Sequence, residues 1–146
     1  MGAHALLVAP KRAGPGEGDA VFTVATPRLL VRAEDDAAAG LTCDIRDKAT
    51  FRRLGWISFS RTRADAGAIQ IAFFIEATER ARGLMKEAMR AAAGPALARL
   101  KPRIVQAQLR ADDLPAIAVV RGIGLRRIGK ADSARCLFEK DLCGIL

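Results

Sequence analysis

Three basic side chains surround a glycine in the segment 75–90 of this 146-residue sequence, which reads IEATERARGLMKEAMR. They are Arg80, Arg82 and Lys86, and the glycine is Gly83. An apolar run ends directly before this segment, and helix-forming residues follow the glycine. The first turn of a helix has backbone N–H groups without intrahelical partners, and the helix dipole favours negative charge there. The pattern therefore predicts an anion-binding site, with a solvated basic helix face as the alternative.

Hydrophobic periodicity predicts the elements that hold this glycine. Residues 68–75, AIQIAFFI, are apolar on both faces, which is typical of a central strand. From Gly83 onward the apolar residues recur at a spacing near four, which predicts a helix. Gly94 and Pro95 interrupt that spacing, and we expect a kink or a break there because proline removes a helical hydrogen bond.

The rest of the chain predicts a sheet that is mixed and mostly antiparallel. Its expected elements are a strand over Thr26–Arg32, at most two turns of helix from Glu34 to Gly40, an antiparallel pair over 41–50 and 53–61, a strand over Arg103–Ala111, a short helix capped by Asp113, and two closing strands over Leu125–Ser133 and Ala134–Leu142. This order predicts an α/β domain over residues 21–146, with a twisted sheet of about six or seven strands and helices on both faces. Residues 1–20 are rich in Gly, Pro and Ala and are expected to form a flexible arm.

Composition narrows the class of partner. The net charge of +8 favours a polyanion, which includes both nucleic acid and a nucleotide cofactor. The aromatic side chains that stack on single-stranded RNA are scarce, because the chain has one Trp, six Phe and no Tyr. Charge alone leaves both partners open, together with a solvated basic surface.

Cysteine and histidine usage favours a reduced compartment. Cys43, Cys136 and Cys143 show no paired spacing and His4 is the only histidine, so we expect no zinc site. No stretch approaches the roughly 20 apolar residues that span a bilayer. The short apolar run Ala5–Ala9 comes before its basic pair, the reverse of a secretory signal. These features predict a cytoplasmic protein without a metal or a membrane partner.

The segment 75–90 resembles the acetyl-CoA segment of the GNAT superfamily of N-acetyltransferases. In that family a strand leads through Q/R-x-x-G-x-G/A into a helix that carries Glu-Ala-Leu-Arg; Arg80, Gly83 and Met85 fall on the marked positions, and 87–90 fall on the helical signature. Other blocks follow the family order across residues 26–142. TPRLLVR at 26–32 resembles the first strand of the branch that acetylates ribosomal-protein N-termini, LGWI at 54–57 resembles the third strand, and DLPAI at 113–117 with IGL at 123–125 resembles the Asn-x-x-Ser helix and its Leu-Gly-Phe turn.

The resemblance implies a GNAT-like fold that binds acetyl-CoA as its co-substrate. Backbone amides of residues 82–85 would bind the pyrophosphate, and the strand Phe73–Ile75 would pair with the pantetheine arm. Arg121 would reach the 3′-phosphate. The implied cofactor-binding residues are Phe74, Ile75, Arg80, Arg82, Gly83, Leu84, Met85, Lys86, Asp113 and Arg121.

The acceptor side departs from the family pattern. Gln70 stands where many members have a glutamate base, and the chain has no tyrosine to protonate the leaving thiolate. Glu76 is the remaining carboxylate that we predict to be catalytic, with a solvated loop residue or an arginine partner as the alternative. The first helical region, Glu34–Gly40, is shortened. We therefore expect the acceptor side to be open, or to be completed by a second copy of the chain in a homodimer.

Two functions follow from the sequence. The first is an N-acetyltransferase that moves an acetyl group from acetyl-CoA to a protein N-terminus or a small-molecule amine. The alternative is a catalytically degenerate GNAT-fold subunit that contacts a ribosome or RNA through its basic surface. Arg52, Arg53, Arg61 and Arg63 lie far in sequence from the glycine loop and are the predicted RNA contacts.

Overall fold

The computed structural model describes residues 20–36, 40–65, 67–80 and 82–142. The predicted flexible arm, His4 and Cys143 lie outside these residues, so the expectations for them stay predictions. The described part is a single open sheet with two α-helices. Its elements are β1 (Phe22–Ala25), β2 (Leu29–Asp36), β3 (Gly40–Asp47), β4 (Arg53–Arg61), β5 (Ala68–Ile75), a 3-10 turn (Ala77–Glu79), α1 (Leu84–Leu100), β6 (Ile104–Arg110), α2 (Leu114–Gly122), β7 (Arg126–Lys130) and β8 (Arg135–Asp141).

The sheet is mixed and mostly antiparallel, as predicted, but it has eight strands rather than six or seven. The strand order is β1-β2-β3-β4-β5-β6-β8-β7, and only β5 and β6 are parallel neighbours. The additional strand is β1, which precedes the strand expected at Thr26–Arg32. That expected strand begins later, at Leu29, because Thr26 closes a turn: its N–H donates to the Leu29 carbonyl and its hydroxyl accepts from the Leu29 N–H.

The short helix expected from Glu34 to Gly40 is wrong. Residues 34–36 end β2 and Gly40 begins β3, so only residues 37–39, which are outside the described part, connect two paired strands. The two strands pair over their whole length, from Leu29 with Asp47 to Asp36 with Gly40. Alternation of buried and partly exposed residues explains this pairing, because that period suits a strand with one face in the core. The acidic run of the sequence masked the alternation.

Both helices pack on the same face of the sheet, which corrects the expectation of helices on both faces. Cross-strand register places Val31, Ile45, Ile57 and Ile71 on one face, and all four are buried. The buried side chains of α1 and α2 belong to this same core. The opposite face carries partly exposed and mostly polar side chains, so no described helix covers it.

Helix α1 runs without interruption from Leu84 to Leu100, so the break expected at Gly94 and Pro95 does not occur. Both residues lie on the exposed side of the helix. The carbonyl that loses its partner to proline can therefore be solvated, which limits the penalty. Among the described residues, no helix is both long and apolar enough to cross a membrane.

Strands β5 and β6 separate after three paired residues. They are neighbours from Ala68 with Ile104 to Gln70 with Gln106. Beyond that point β5 pairs only with β4, and β6 pairs only with β8. The sheet therefore splits into a V whose open end lies at the C-terminus of β5.

Candidate cofactor-binding site

A cleft of about 360 Å³ opens beside the C-terminal half of β5. Three parts of the chain form its walls: the end of β5, the loop that leads into α1, and the first two turns of α2. The lining residues are Phe73, Phe74, Ile75, Glu79, Arg80, Gly83, Leu84, Met85, Lys86, Asp113, Pro115, Ala116, Ala118 and Val119. The split in the sheet creates this space, because β6 no longer covers the edge of β5.

The free edge of β5 offers backbone hydrogen bonds to the cleft. The Glu76 N–H donates to the Leu54 carbonyl at 2.9 Å. This bond shows that Glu76, and every second residue before it in β5, directs its backbone hydrogen bonds toward β4. In an antiparallel pair, alternate residues direct their N–H and C=O groups to the same neighbour. Phe73 and Ile75 therefore direct theirs away from β4, toward the side that β6 has left. An extended ligand with amide groups can pair with this edge.

The N-terminus of α1 points its amides at the same cleft. Gly83 precedes the helix with φ 74° and ψ 11°, in the left-handed region that favours glycine. The first intrahelical bond there is from the Glu87 N–H to the Gly83 carbonyl. The three N–H groups of Leu84, Met85 and Lys86 therefore have no partner within the helix, and no side chain caps them. They are available to an anion, and the helix dipole favours one there.

The turn between β1 and β2 holds the start of α1 through Glu87. The Arg28 backbone N–H and Nε donate to Glu87 at 3.0 and 2.8 Å, and the Thr26 hydroxyl also donates to this carboxylate. Burial raises the pKa of the Glu87 carboxyl, but these hydrogen bonds outweigh burial and hold the pKa below its usual value. Arg28 Nη1 also donates to the Arg82 carbonyl at 2.9 Å. The turn at the β1–β2 edge of the sheet thus holds the loop before α1 in place.

A second carboxylate, Glu79, holds the same loop from the cleft side. Its side chain is buried, with 8% of the residue exposed. Arg52 Nη2 donates to it at 2.8 Å, and Arg82 Nη1 donates to its other oxygen. Because Glu79 lines the cleft, these two guanidinium groups offset the repulsion that its charge would exert on a bound phosphate.

Most of the predicted cofactor-binding residues line the cleft. These are Phe74, Ile75, Arg80, Gly83, Leu84, Met85, Lys86 and Asp113. Arg82 and Arg121 do not line it: the Arg82 side chain pairs with Glu79, and Arg121 is exposed in the last turn of α2. Asp113 caps α2, because its Oδ1 accepts the Ala116 N–H at 3.2 Å.

Glu76, the predicted catalytic carboxylate, does not line the cleft. Arg52 Nη1 donates to its Oε1 at 2.8 Å, and the Glu76 side chain is 45% exposed. This geometry fits the alternative of an arginine partner. A catalytic role for Glu76 stays a prediction.

Sequence reasoning missed Glu79 and the α2 wall of the cleft. Pro115, Ala116, Ala118 and Val119 form this wall. Their spacing, on one side of a short helix directly after the Asp113 cap, was the signal that could have found them. Glu79 had a weaker signal, because its two arginine partners are recognisable only once the chain is folded.

Most of the arginines predicted to bind RNA contact carboxylates or a carbonyl of their own chain. Arg52 pairs with Glu76 and Glu79, and Arg53 Nε lies 2.6 Å from Asp44 Oδ1. Arg61 Nη2 donates to the Leu100 carbonyl at 2.8 Å. The carboxylates beside Arg52 and Arg53 offset the positive charge that these two residues offer to a polyanion.

A split sheet beside an open helix N-terminus defines an α/β domain built to bind a phosphate-bearing cofactor. The family model of the acetyltransferase (GNAT) domain matches residues 10–126. The chain therefore belongs to the GNAT acetyltransferase family.

Solved structures support the same fold. An acetyltransferase of the GNAT family from Bacillus anthracis superposes with a TM-score of 0.66 at 14% identity, covering 82% of this chain and 98% of that one. The ribosomal-protein-S5-alanine acetyltransferase from Vibrio fischeri superposes with a TM-score of 0.60 at 16% identity, covering 69% of this chain and 61% of that one. The putative acetyltransferase yncA from Salmonella typhimurium, in a structure with its cofactor acetyl-CoA, superposes with a TM-score of 0.59 at 11% identity. The match covers 70% of this chain and 64% of that one. No curated protein matches the chain by sequence.

Proposed function

We propose that this protein transfers the acetyl group of acetyl-CoA to an amine, with a protein N-terminus as the preferred acceptor class. The observation that carries the proposal is the shared cleft of β5 and α1. The free backbone edge at Phe73 and Ile75 and the open amides of Leu84–Lys86 meet in one space. A pantetheine arm and a pyrophosphate, joined in one molecule, match these two features.

Two parts of acetyl-CoA, the pyrophosphate and the pantetheine arm, would each have a counterpart in the cleft. The amides at the start of α1, with Arg80 and Lys86, would hold the pyrophosphate. The amide groups of the pantetheine arm would pair with the edge of β5, as an additional strand would. The apolar residues Pro115–Val119 of α2 would cover the arm from the other side.

The chemical step needs little beyond position. The lone pair of a neutral amine attacks the thioester carbonyl, the new C–N bond forms, and the C–S bond breaks as the thiolate leaves with its electron pair. The amine loses one proton, and the thiolate takes up one. Holding the two reactants together supplies much of the acceleration, whereas one acid–base group contributes about 10²–10⁴-fold. A fold that lacks tyrosine can therefore still catalyse transfer.

The open face of the sheet supports a large acceptor. With β2 and β3 joined as a hairpin, no described helix walls the side from which an amine would approach. A chain terminus can reach such a site without threading a narrow pocket. The structural likeness to an acetyltransferase of a ribosomal-protein alanine favours the same class of acceptor.

The alternative, a degenerate subunit that contacts RNA or the ribosome, has weaker support. Its predicted contact residues Arg52, Arg53 and Arg61 hold carboxylates or a carbonyl of their own chain. Because affinity for nucleic acid depends on phosphate contacts, binding at about 50 mM salt that survives saturation with acetyl-CoA would favour this alternative.

Thermal shift with acetyl-CoA tests the proposal directly. At 100 times the Kd, a ligand that binds only the native state stabilises it by about 2.7 kcal/mol. For a chain near this size that corresponds to a rise in Tm of about 5–10 °C. Gly83→Glu should abolish the rise, because its carboxylate would meet the pyrophosphate. Gly94→Glu is the matched control, since Gly94 lies on the same helix with open space around it.

A thiol-release assay over protein N-terminal peptides and small amines then tests catalysis. We expect turnover with at least one N-terminal peptide and none with Gly83→Glu. Unchanged acetyl-CoA affinity in Gly83→Glu would refute the site. Acetyl-CoA binding without turnover on any amine would refute the transfer and favour the degenerate subunit.

A further inference from the structure

A row of polar side chains crosses the open face of the sheet at the base of the V. Cross-strand register aligns Ser60 of β4 with Gln70 of β5, Gln70 with Gln106 of β6, and Gln106 with Glu139 of β8. All four lie on the face opposite the helices, and all are half-buried. Glu139 is the acidic member of this row.

Gln106 fixes the Glu139 carboxylate. Its Nε2 donates to Glu139 Oε2 at 2.9 Å. Arg126 of β7 lies opposite Glu139 in the β7–β8 ladder, but no ion pair to Glu139 occurs among the described residues, and its Oε1 accepts no hydrogen bond from them. Glu139 thus differs from Glu76, Glu79 and Glu87, each of which an arginine holds. It is a positioned carboxylate with capacity for another donor.

The base of the V is where the thioester of a bound acetyl-CoA would arrive. Gln70, the last residue of β5 that pairs with β6, lies five positions before Ile75, which is beside the start of α1. These five positions span about 17 Å of extended strand, which is comparable to an extended pantetheine arm. An arm that follows the edge of β5 from the α1 N-terminus therefore runs through the cleft toward Gln70 and Gln106, which lie beyond its lining residues at the base of the V. Glu139 flanks Gln106 on the next strand, about 5 Å across the sheet.

The cofactor and the acceptor must approach the base of the V from different sides. The helices occupy one face, so the open face is the route for the amine. An amine with a pKa above neutral arrives as a cation, and a cation is stabilised by a nearby carboxylate that carries no other ion pair.

We propose that Glu139 binds the acceptor as its ammonium form and removes the proton that blocks attack; this rests on the proposed function. The proton passes from nitrogen to a Glu139 carboxylate oxygen, and the freed lone pair forms the C–N bond. The C–S bond then breaks, and the thiolate leaves with its electron pair. Glu139 returns the proton to the thiolate or to water, which restores the carboxylate. Gln106 is the positioning residue that holds Glu139 in place.

Glu139→Gln is the decisive variant, and Glu34→Gln, at a half-buried position of β2 on the same open face, is its matched control. Both changes remove one charge and keep the shape of the side chain. We expect Glu139→Gln to bind acetyl-CoA with wild-type Kd and to lose about 10²-fold or more in kcat/KM for the amine at pH 7. The loss should shrink as pH rises toward the pKa of the amine, because the amine then arrives neutral. Glu139→Asp should recover part of the rate, and Glu34→Gln should stay within a few fold of wild type.

The possible failures can be told apart. If wild type turns over while Glu139→Gln keeps its rate and pH profile, the role of Glu139 is refuted and the acetyltransferase stands. If Glu76→Gln loses the rate instead, Glu76 is the base and the Glu139 proposal is wrong. If wild type fails to bind acetyl-CoA or to release thiol with any amine, the proposed function falls and this proposal falls with it.

Discussion

Two glycines of one helix should respond to alanine in opposite directions. Gly83 begins α1 in the left-handed region, with φ 74°, whereas Gly94 lies inside the helix. A Cβ at Gly83 would have room, since its nearest neighbour is Arg28 Nη2 at 3.7 Å, and a Cβ at Gly94 would meet nothing within 4 Å. Clashes with neighbouring atoms therefore play no part at either position. Backbone conformation alone decides whether alanine raises or lowers the free energy of unfolding.

The magnitudes follow from that difference. A non-glycine residue in the left-handed region costs about 1–2 kcal/mol. Alanine in place of a glycine inside a helix stabilises it by about 0.5–1 kcal/mol. Gly83→Ala should thus lower, and Gly94→Ala should raise, the free energy of unfolding, with about 2 kcal/mol between the two variants.

Urea unfolding of the two variants and wild type, compared at equal m-values, measures these changes in the absence of ligand. The order of midpoints should be Gly94→Ala, then wild type, then Gly83→Ala. If Gly83→Ala is as stable as wild type, the left-handed conformation at the start of α1 is not required. Glycine would then not be needed at position 83 for the conformation of this loop.

Three further results are expected from other parts of the structure. Glu87→Gln should weaken the loss of stability in acid, because the lowered pKa of Glu87 contributes stability above its unfolded pKa of about 4.3, and this contribution is lost as the pH falls through the lower folded-state pKa. The difference in urea midpoint between the variant and wild type should therefore narrow as the pH falls below about 4.3, and a constant difference would contradict this. Burial, and next the charge of Asp44, raise the pKa of Cys43 to about 12. Maleimide at pH 7.5 should therefore label Cys43 only in denaturant, as measured by peptide mapping, and rapid labelling of Cys43 in the native protein would contradict its burial. Asp113→Ala removes the cap that accepts the Ala116 N–H and should lower the free energy of unfolding by about 1 kcal/mol in chemical denaturation; an unchanged value would mean that the cap is replaced by water.

Local sequence signals predicted the centre of the site. The apolar run of β5, the period of α1 and Gly83 between them are each encoded within a few residues, so their junction could be identified without the fold. The same holds for Asp113, since a cap and its helix are adjacent. These signals account for most of the residues that line the cleft.

Long-range features were beyond the reach of the sequence. The Glu87 carboxylate meets Arg28 across 59 positions, and Glu79 meets Arg52 across 27. Nothing in the local spacing indicates such pairs. The acidic stretch after Glu34 favours a helix on local spacing, because its polar residues conceal the strand period. Glu139 became visible only when register placed it beside Gln106.

Hydrogen exchange with and without acetyl-CoA tests the central claim most directly, because it reports where the cofactor binds. We expect slower exchange at two places: the Phe73 and Ile75 amides on the free edge of β5, and the Leu84–Lys86 amides at the start of α1. The last turns of α1, from Gly94 to Leu100, should change little, since they lie at the opposite end of that helix from the cleft. Binding that protects other segments and leaves these amides unchanged would contradict the account.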